Sequence, residues 1–241
     1  MNVIDYPSPN FSERVNGLTP EMIIIHWAGG HDPVYSLNLM LDPKEEVSCH
    51  YFLDEEGKIY KLVDENKNAW HAGVSMWNGE NSINSRSIGI ELSNHDGKPY
   101  RNKQITALKE LCKDIMQRRD IPANLVLGHS DIAPNRRKDP HEHFPWKEMA
   151  QSGIGIWYKV IIKDTFNAAA VARKPKQLRE LFKKVGYPVD CFKNNINPTL
   201  TELVSSFQRH FEPEVFKNNH AGTATKHTVA KLNALIRQNG Y

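Results

Sequence analysis

Apolar positions in the first 150 or so residues fall into short, β-branched runs broken once by a long stripe of helical spacing. Met22–Trp27 is such a run, the pattern of a strand buried on both faces. Residues 47–53 and 58–63 flank Asp54-Glu55-Glu56-Gly57, a polar turn closing on glycine, which predicts a hairpin. Ser87–Leu92 predicts another strand, with the single carboxylate of Glu91 inside an otherwise apolar stretch. From Asn102 to Arg119, Ile105, Leu108, Leu111, Cys112 and Ile115 recur at three- and four-residue spacing, which predicts an amphipathic helix. Leu125–His129 returns to strand, and the Pro, Asn and Ser of residues 1–20 predict an irregular lead-in.

Strands mixed with helices imply an α/β fold, a central mixed β-sheet flanked by helices, over residues 1–172. Past Arg173 the pattern becomes wholly helical. Leu178, Leu181, Phe182 and Val185 mark one helix ending at Gly186; Leu200, Leu203, Val204, Phe207 and Phe211 mark a second; Val229, Leu232, Leu235 and Ile236 mark a third. Residues 173–241 are therefore expected to form a small all-α domain.

With 241 residues, 39% of them hydrophobic, the chain has material for a real core. No stretch approaches the roughly 18 apolar residues of a membrane span. Met1–Pro7 has neither a basic start nor an apolar core of an export signal, so the expected location is the cytoplasm, with the periplasm or cell wall as the alternative had a signal been trimmed. Cys49, Cys112 and Cys191 show no metal-like or redox-like spacing and read as reduced, mostly buried thiols. The net charge of +3 conceals an asymmetry: 12 Lys/Arg face 5 Asp/Glu from Arg173 onward, against 19 and 23 before it. A basic tail suits a polyanion, nucleic acid or an acidic polymer such as cell wall, or is simply a solvated lysine-rich helical surface. Oligomeric state is not legible in the pattern.

Three residues stand out for chemistry. His26 ends the first apolar run, His129 ends the strand at Gly128-His129-Ser130-Asp131, and Asp139 follows in Lys138-Asp139-Pro140. Two imidazoles and a carboxylate on separate loops make an open zinc site, because catalytic zinc takes three protein ligands and keeps one position free. His141 and His143 compete with Asp139 for the third place.

The strings Ile23-Ile24-Ile25-His26-Trp27, Ser48-Cys49-His50-Tyr51-Phe52-Leu53-Asp54, Ala69-Trp70-His71-Ala72-Gly73, Ser87-Ile88-Gly89-Ile90-Glu91-Leu92, Gly128-His129-Ser130-Asp131-Ile132-Ala133-Pro134 and Lys138-Asp139-Pro140 occur in one order. Together they resemble the zinc-dependent N-acetylmuramoyl-L-alanine amidases of the amidase-2 family, which includes T7 lysozyme-like and peptidoglycan-recognition relatives. The resemblance spans most of residues 20–148. It implies Zn²⁺ held by His26, His129 and Asp139, with Glu91 as general base. Where the family commonly has lysine two positions before the ligand aspartate, this chain has Arg137, so the oxyanion donor is Arg137 first and Lys138 second. Trp27, His71 and Asn84 resemble positions lining the substrate cleft, though His71 and Asn84 equally suit a supporting role.

The implied reaction is hydrolysis of the amide between N-acetylmuramic acid, or its 1,6-anhydro form, and L-alanine in peptidoglycan or muropeptides. The alternative is a non-catalytic peptidoglycan-recognition protein. The tail resembles the small helical peptidoglycan-binding modules that follow some of these amidases, most closely over Val204–Phe211. It carries no nucleic-acid motif, so nucleic acid is not an expected partner.

Overall fold

The run at Met22 becomes one of the two longest strands of a mixed sheet in the computed structural model, which describes residues 2–29, 32–94, 98–190 and 197–240. The strands are β1 (Val3–Asp5), β2 (Phe11–Glu13), β3 (Met22–Gly29), β4 (Tyr51–Leu53), β5 (Ile59–Lys61), β6 (Lys67–Ala69), β7 (Ser87–Asn94) and β8 (Val126–Gly128). The helices are α1 (Pro33–Leu41), α2 (Ile83–Arg86), α3 (Asn102–Arg119), α4 (His129–Ile132), α5 (Trp146–Gln151), α6 (Ala168–Val171), α7 (Pro175–Val185), α8 (Leu200–Phe211) and α9 (Lys226–Asn239). Six strands form one sheet in the order β1-β5-β4-β7-β3-β8, and β2 pairs with β6 apart from it. Among the described residues, only the predicted hairpin, β4 with β5, is antiparallel within the large sheet. Its turn closes where Asp54 Oδ1 accepts from the backbone N–H of Glu56 and of Lys58, both at 2.9 Å.

Side chains alternate across a strand, so the central strands sort their residues onto two faces. Ile23 and Ile25 of β3, with Ile88, Ile90 and Leu92 of β7, pack on the α3 face against Leu108, Leu111 and Ile115. Met22 and Ile24 point the other way, into a cluster with Leu178, Phe182, Leu203, Phe207, Val229 and Leu232 of α7, α8 and α9. The three helices predicted past Arg173 are present, but their apolar faces join the sheet in one cluster rather than closing on each other alone. His26 continues the series Met22, Ile24, and Glu91 is its register partner on β7. Both therefore belong to the face that the C-terminal helices cover, at the carboxyl end of the parallel strands where ligand sites form in such sheets.

The shorter helices α1, α2, α4 and α5 carry too few turns to announce a period; tertiary contacts and caps hold them. Asp32 caps α1, accepting from Val34 N at 2.7 Å, ahead of Pro33 in the first turn. His129, expected at the end of a strand, is instead the first residue of α4. Cys49 and Cys112 are buried free thiols; Cys191 lies outside the described residues.

Candidate active site

Three donor atoms converge at the end of β3. His26 Nδ1 lies 2.9 Å from His129 Nδ1 and 3.2 Å from Asp139 Oδ2, and His129 Nδ1 lies 3.1 Å from that same oxygen. The two histidines are almost wholly buried, and Asp139 is partly open. Among the described residues His26, His129 and Asp139 form the metal-capable cluster, and neither His141 nor His143 is part of it.

The outer nitrogens settle what the inner ones present. His129 Nε2 faces the carbonyl of Ala72 at 3.1 Å, and a carbonyl can only accept, so that nitrogen carries the proton. The Ser87 hydroxyl donates to Ile83 O at 2.6 Å and so accepts from His71 Nε2 at 3.3 Å. His71 Nδ1 is then a lone pair, which receives the proton of His26 Nε2 at 2.9 Å. In their neutral forms both imidazoles thus turn bare Nδ1 lone pairs toward the Asp139 carboxylate. Such groups about 3 Å apart repel unless a proton or a cation stands among them. Donors each roughly 2.0–2.1 Å from one tetrahedral zinc stand about 3.3 Å apart, close to the spacing here, so the three residues can hold a metal ion.

Burial holds the His26 imidazole down to about 4, with His129 adding to that effect and Asp139 opposing it. Burial alone would raise the Asp139 carboxyl, but the neighbouring His129 and His26 hold it well below the usual carboxylate range. Glu91 shows the reverse. Burial, reinforced by the Asp139 charge and opposed by Arg137, raises its carboxyl to about 8. Its Oε1 is 3.9 Å from His26 Nδ1, and its Oε2 has no hydrogen-bond partner among the described residues.

The surrounding residues fall into distinct places. His71, buried, sits behind His26 rather than in an open cleft, and it fits there because Gly89 has no side chain: a Cβ at that position would lie 2.4 Å from the His71 ring. Asn84 Oδ1 accepts from the backbone N–H of His71 at 3.1 Å and of Ala72 at 2.6 Å, so it pins the segment against which His129 rests. Trp27 is half-buried; its Nε1–H donates to Asn94 O at 2.8 Å and its ring meets that of His141 edge-on at 4.1 Å. Arg137 is exposed and its charge acts on both Glu91 and His26. Lys138 is exposed as well, with its carbonyl accepting from His141 N at 3.0 Å. The preceding Arg136 ties the two loops together by donating to Val74 O at 2.7 Å and to Ala72 O.

Residues 16–142 match the family model described as N-acetylmuramoyl-L-alanine amidase. The N-acetylmuramoyl-L-alanine amidase AmiD of Escherichia coli (strain K12) is 34% identical over 240 residues, covering 91% of this chain and 83% of AmiD. The chain belongs to this amidase family. A structure of E. coli AmiD in complex with the substrate anhydro-N-acetylmuramic acid-L-Ala-D-gamma-Glu-L-Lys superposes with a TM-score of 0.77 and 31% identity, over 96% of this chain and 98% of that one. The 1,6-anhydro-N-acetylmuramyl-L-alanine amidase AmpD of Haemophilus influenzae (strain ATCC 51907 / DSM 11121 / KW20 / Rd) is 32% identical over 164 residues, 60% of this chain and 89% of AmpD. The amidase fold expected from the sequence, a mixed sheet with flanking helices, is the fold found.

One buried group of this amidase has no signal in its local sequence. The Asp131 carboxylate, 1% exposed, accepts from Gly128 N, Tyr187 Oη and His210 Nδ1, each at 2.8 Å. Ser206 Oγ donates to Ser130 O at 2.6 Å. The turn that aims His129 is therefore gripped by α8 and by Tyr187, two residues past α7. Asp131 stood inside a quoted motif, but nothing local pointed to partners 56 and 79 residues away.

Proposed function

We propose that the chain hydrolyses the amide between N-acetylmuramic acid, or its 1,6-anhydro form, and the L-alanine of the stem peptide, with Zn²⁺ held by His26, His129 and Asp139. The observation that carries this reading is the convergence of three ligand atoms about 3 Å apart, with a desolvated glutamate directly across the strand register. When bound, zinc supplies a Lewis acid that polarises the scissile carbonyl and acidifies water. Glu91 takes the proton of the attacking water and returns it to the departing alanine amine. Its raised carboxyl suits both directions of transfer near neutral pH, and the charge of a bound cation moderates that rise.

Arg137 stabilises the negative charge that develops on the carbonyl oxygen, and Lys138 is the second candidate. His71 is a positioning residue: its lone pair fixes the tautomer of His26, as groups behind metal-bound histidines commonly do. A purely recognising protein needs no converging ligand set and no desolvated base, which tells against the non-catalytic alternative. Mass spectrometry of muropeptide digests with and without chelator, beside metal analysis of the purified protein, tests the proposal. Zinc near one equivalent and chelator-sensitive release of stem peptide are expected; a metal-free protein that releases no peptide refutes it.

A further inference from the structure

Between α5 and α6 the chain runs Lys159-Val160-Ile161-Ile162-Lys163-Asp164-Thr165-Phe166, whose apolar run would suit a buried strand. It is not in the core. Val160 and Ile161 are exposed, and Ile162 at 79% and Phe166 at 65% stand almost clear of their neighbours. Ile162 is the most open large apolar side chain among the described residues. Exposed apolar residues scattered singly are ordinary, but several in one short segment mark a contact surface.

The exposure is built into the fold, because α9 ties the segment down from beneath. Arg237 donates to both oxygens of the buried Asp164 carboxylate, from Nε and from Nη2, each at 3.0 Å, and to Lys159 O at 2.7 Å. Asn233 donates to Asp164 O at 2.9 Å, and Asp164 Oδ2 accepts from Ile161 N at 2.9 Å. The polar groups of the turn Ile162–Thr165 are thus engaged inward while its apolar side chains face solvent. A backbone already fixed in this way loses little further freedom when the apolar side chains meet a partner.

The charge around the patch has one sign. From Lys159 to Lys176 the segment carries Lys159, Lys163, Arg173, Lys174 and Lys176, all exposed, and its one acidic residue is Asp164, which Arg237 neutralises. Lys184 of α7 joins Lys163 around a depression of about 270 Å³ that Leu181 and Ile236 also line. Apolar tips among lysines match a bilayer surface rich in anionic headgroups: the tips enter the acyl boundary and the ammonium groups stay at the phosphates. A second copy of this chain is a poorer match, because a two-fold contact sets the same lysines against each other. Among the described residues no helix is long and apolar enough to cross a membrane, so the contact is with the surface of the bilayer.

We propose that Val160–Phe166 docks this protein on anionic lipid, with Ile162 and Phe166 inserted and Lys159, Lys163 and Lys184 at the headgroups. The docking does not depend on the amidase reading.

Co-sedimentation of the full chain with phosphatidylglycerol–phosphatidylcholine vesicles, and with phosphatidylcholine vesicles alone, tests it. Binding to the anionic vesicles, weakened by salt and far weaker on neutral ones, is expected. Ile162→Ser and Phe166→Ser should each lower the partition coefficient about tenfold, and Lys163→Ala about fivefold. All three side chains are exposed, so melting midpoints equal to that of the parent separate lost docking from lost folding. No sedimentation with anionic vesicles, equal binding to neutral ones, or partitioning unaltered in both serine variants overturns the proposal. Sedimentation equilibrium that finds a dimer dissolved by Ile162→Ser also overturns it, since a second copy then covers the patch.

Discussion

Replacing Asp131 by Ala tests whether the C-terminal helices hold the turn that carries His129. Its carboxylate is fully buried and accepts three hydrogen bonds, from Gly128 N, Tyr187 Oη and His210 Nδ1. Truncation leaves those three donors unpartnered in the interior. Each orphaned donor costs roughly 1–3 kcal/mol, offset in part because no carboxylate then has to be desolvated. The net loss is about 3–5 kcal/mol. At about 2–4 °C per kcal/mol for a chain of this size, the melting midpoint should drop by about 10 °C. Tyr187→Phe removes one donor, the one to Oδ1, and should cost less, about 1.5–3 kcal/mol for a bond to a charged group. Because Asp131 closes the turn that aims His129, zinc affinity should fall roughly 10–100-fold in Asp131→Ala, read by competition with a chromogenic chelator. A midpoint within 1 °C or so of the parent, with unchanged zinc affinity, would refute the argument.

Other outcomes are as specific. Glu91→Ala should retain zinc and lose turnover by roughly 10²–10⁴-fold, the usual contribution of a positioned base; a variant with most of its activity left would remove Glu91 from the mechanism. Gly89→Ala places a methyl group against the His71 ring and should lower zinc affinity through His26, which isothermal titration can detect; unaltered affinity would mean His71 does not govern His26. Glu65 supplies a pH test away from the metal. Its burial would raise the carboxyl, but hydrogen bonds from Arg118, Tyr51 and Arg119 outweigh that and lower it from 4.5 to about 2. A folded-state value below the unfolded one stabilises above pH ~4.5, and the contribution disappears as pH falls toward 2. Urea denaturation should therefore find Glu65→Gln less stable than the parent by about 3 kcal/mol at pH 7, with the gap narrowing below pH 4.5. A gap independent of pH would show that ionisation of Glu65 is not the source.

Much of this molecule was legible along the chain because the relevant physics is local. The continuous apolar run at Met22, the hairpin around Gly57 and the stripe from Ile105 to Ile115 express strand and helix periods directly, and each element formed where its pattern stood. His26, Glu91, His129 and Asp139 were identifiable from the ordered strings around them, and the fold brings all four to one end of the sheet. Even the shared face of His26 and Glu91 follows from alternation, once the register of β3 against β7 is known.

That register, and everything depending on contacts across long stretches of chain, belonged to the folded state. His71 matched a cleft position, yet it lies behind His26 because Gly89 on a different strand leaves the space. The tail had the periodicity of a self-contained three-helix unit. Its helices nevertheless bury their apolar stripes with Met22 and Ile24, because the even-numbered face of β3 needed a cover and amphipathicity does not name the surface it will meet. The same docking surrounds Asp131 with Tyr187 and His210. Residue types and spacing thus specified which chemistry was available. Three-dimensional closure decided which groups support it, because a buried hydrogen bond of this kind exists only when distant segments meet.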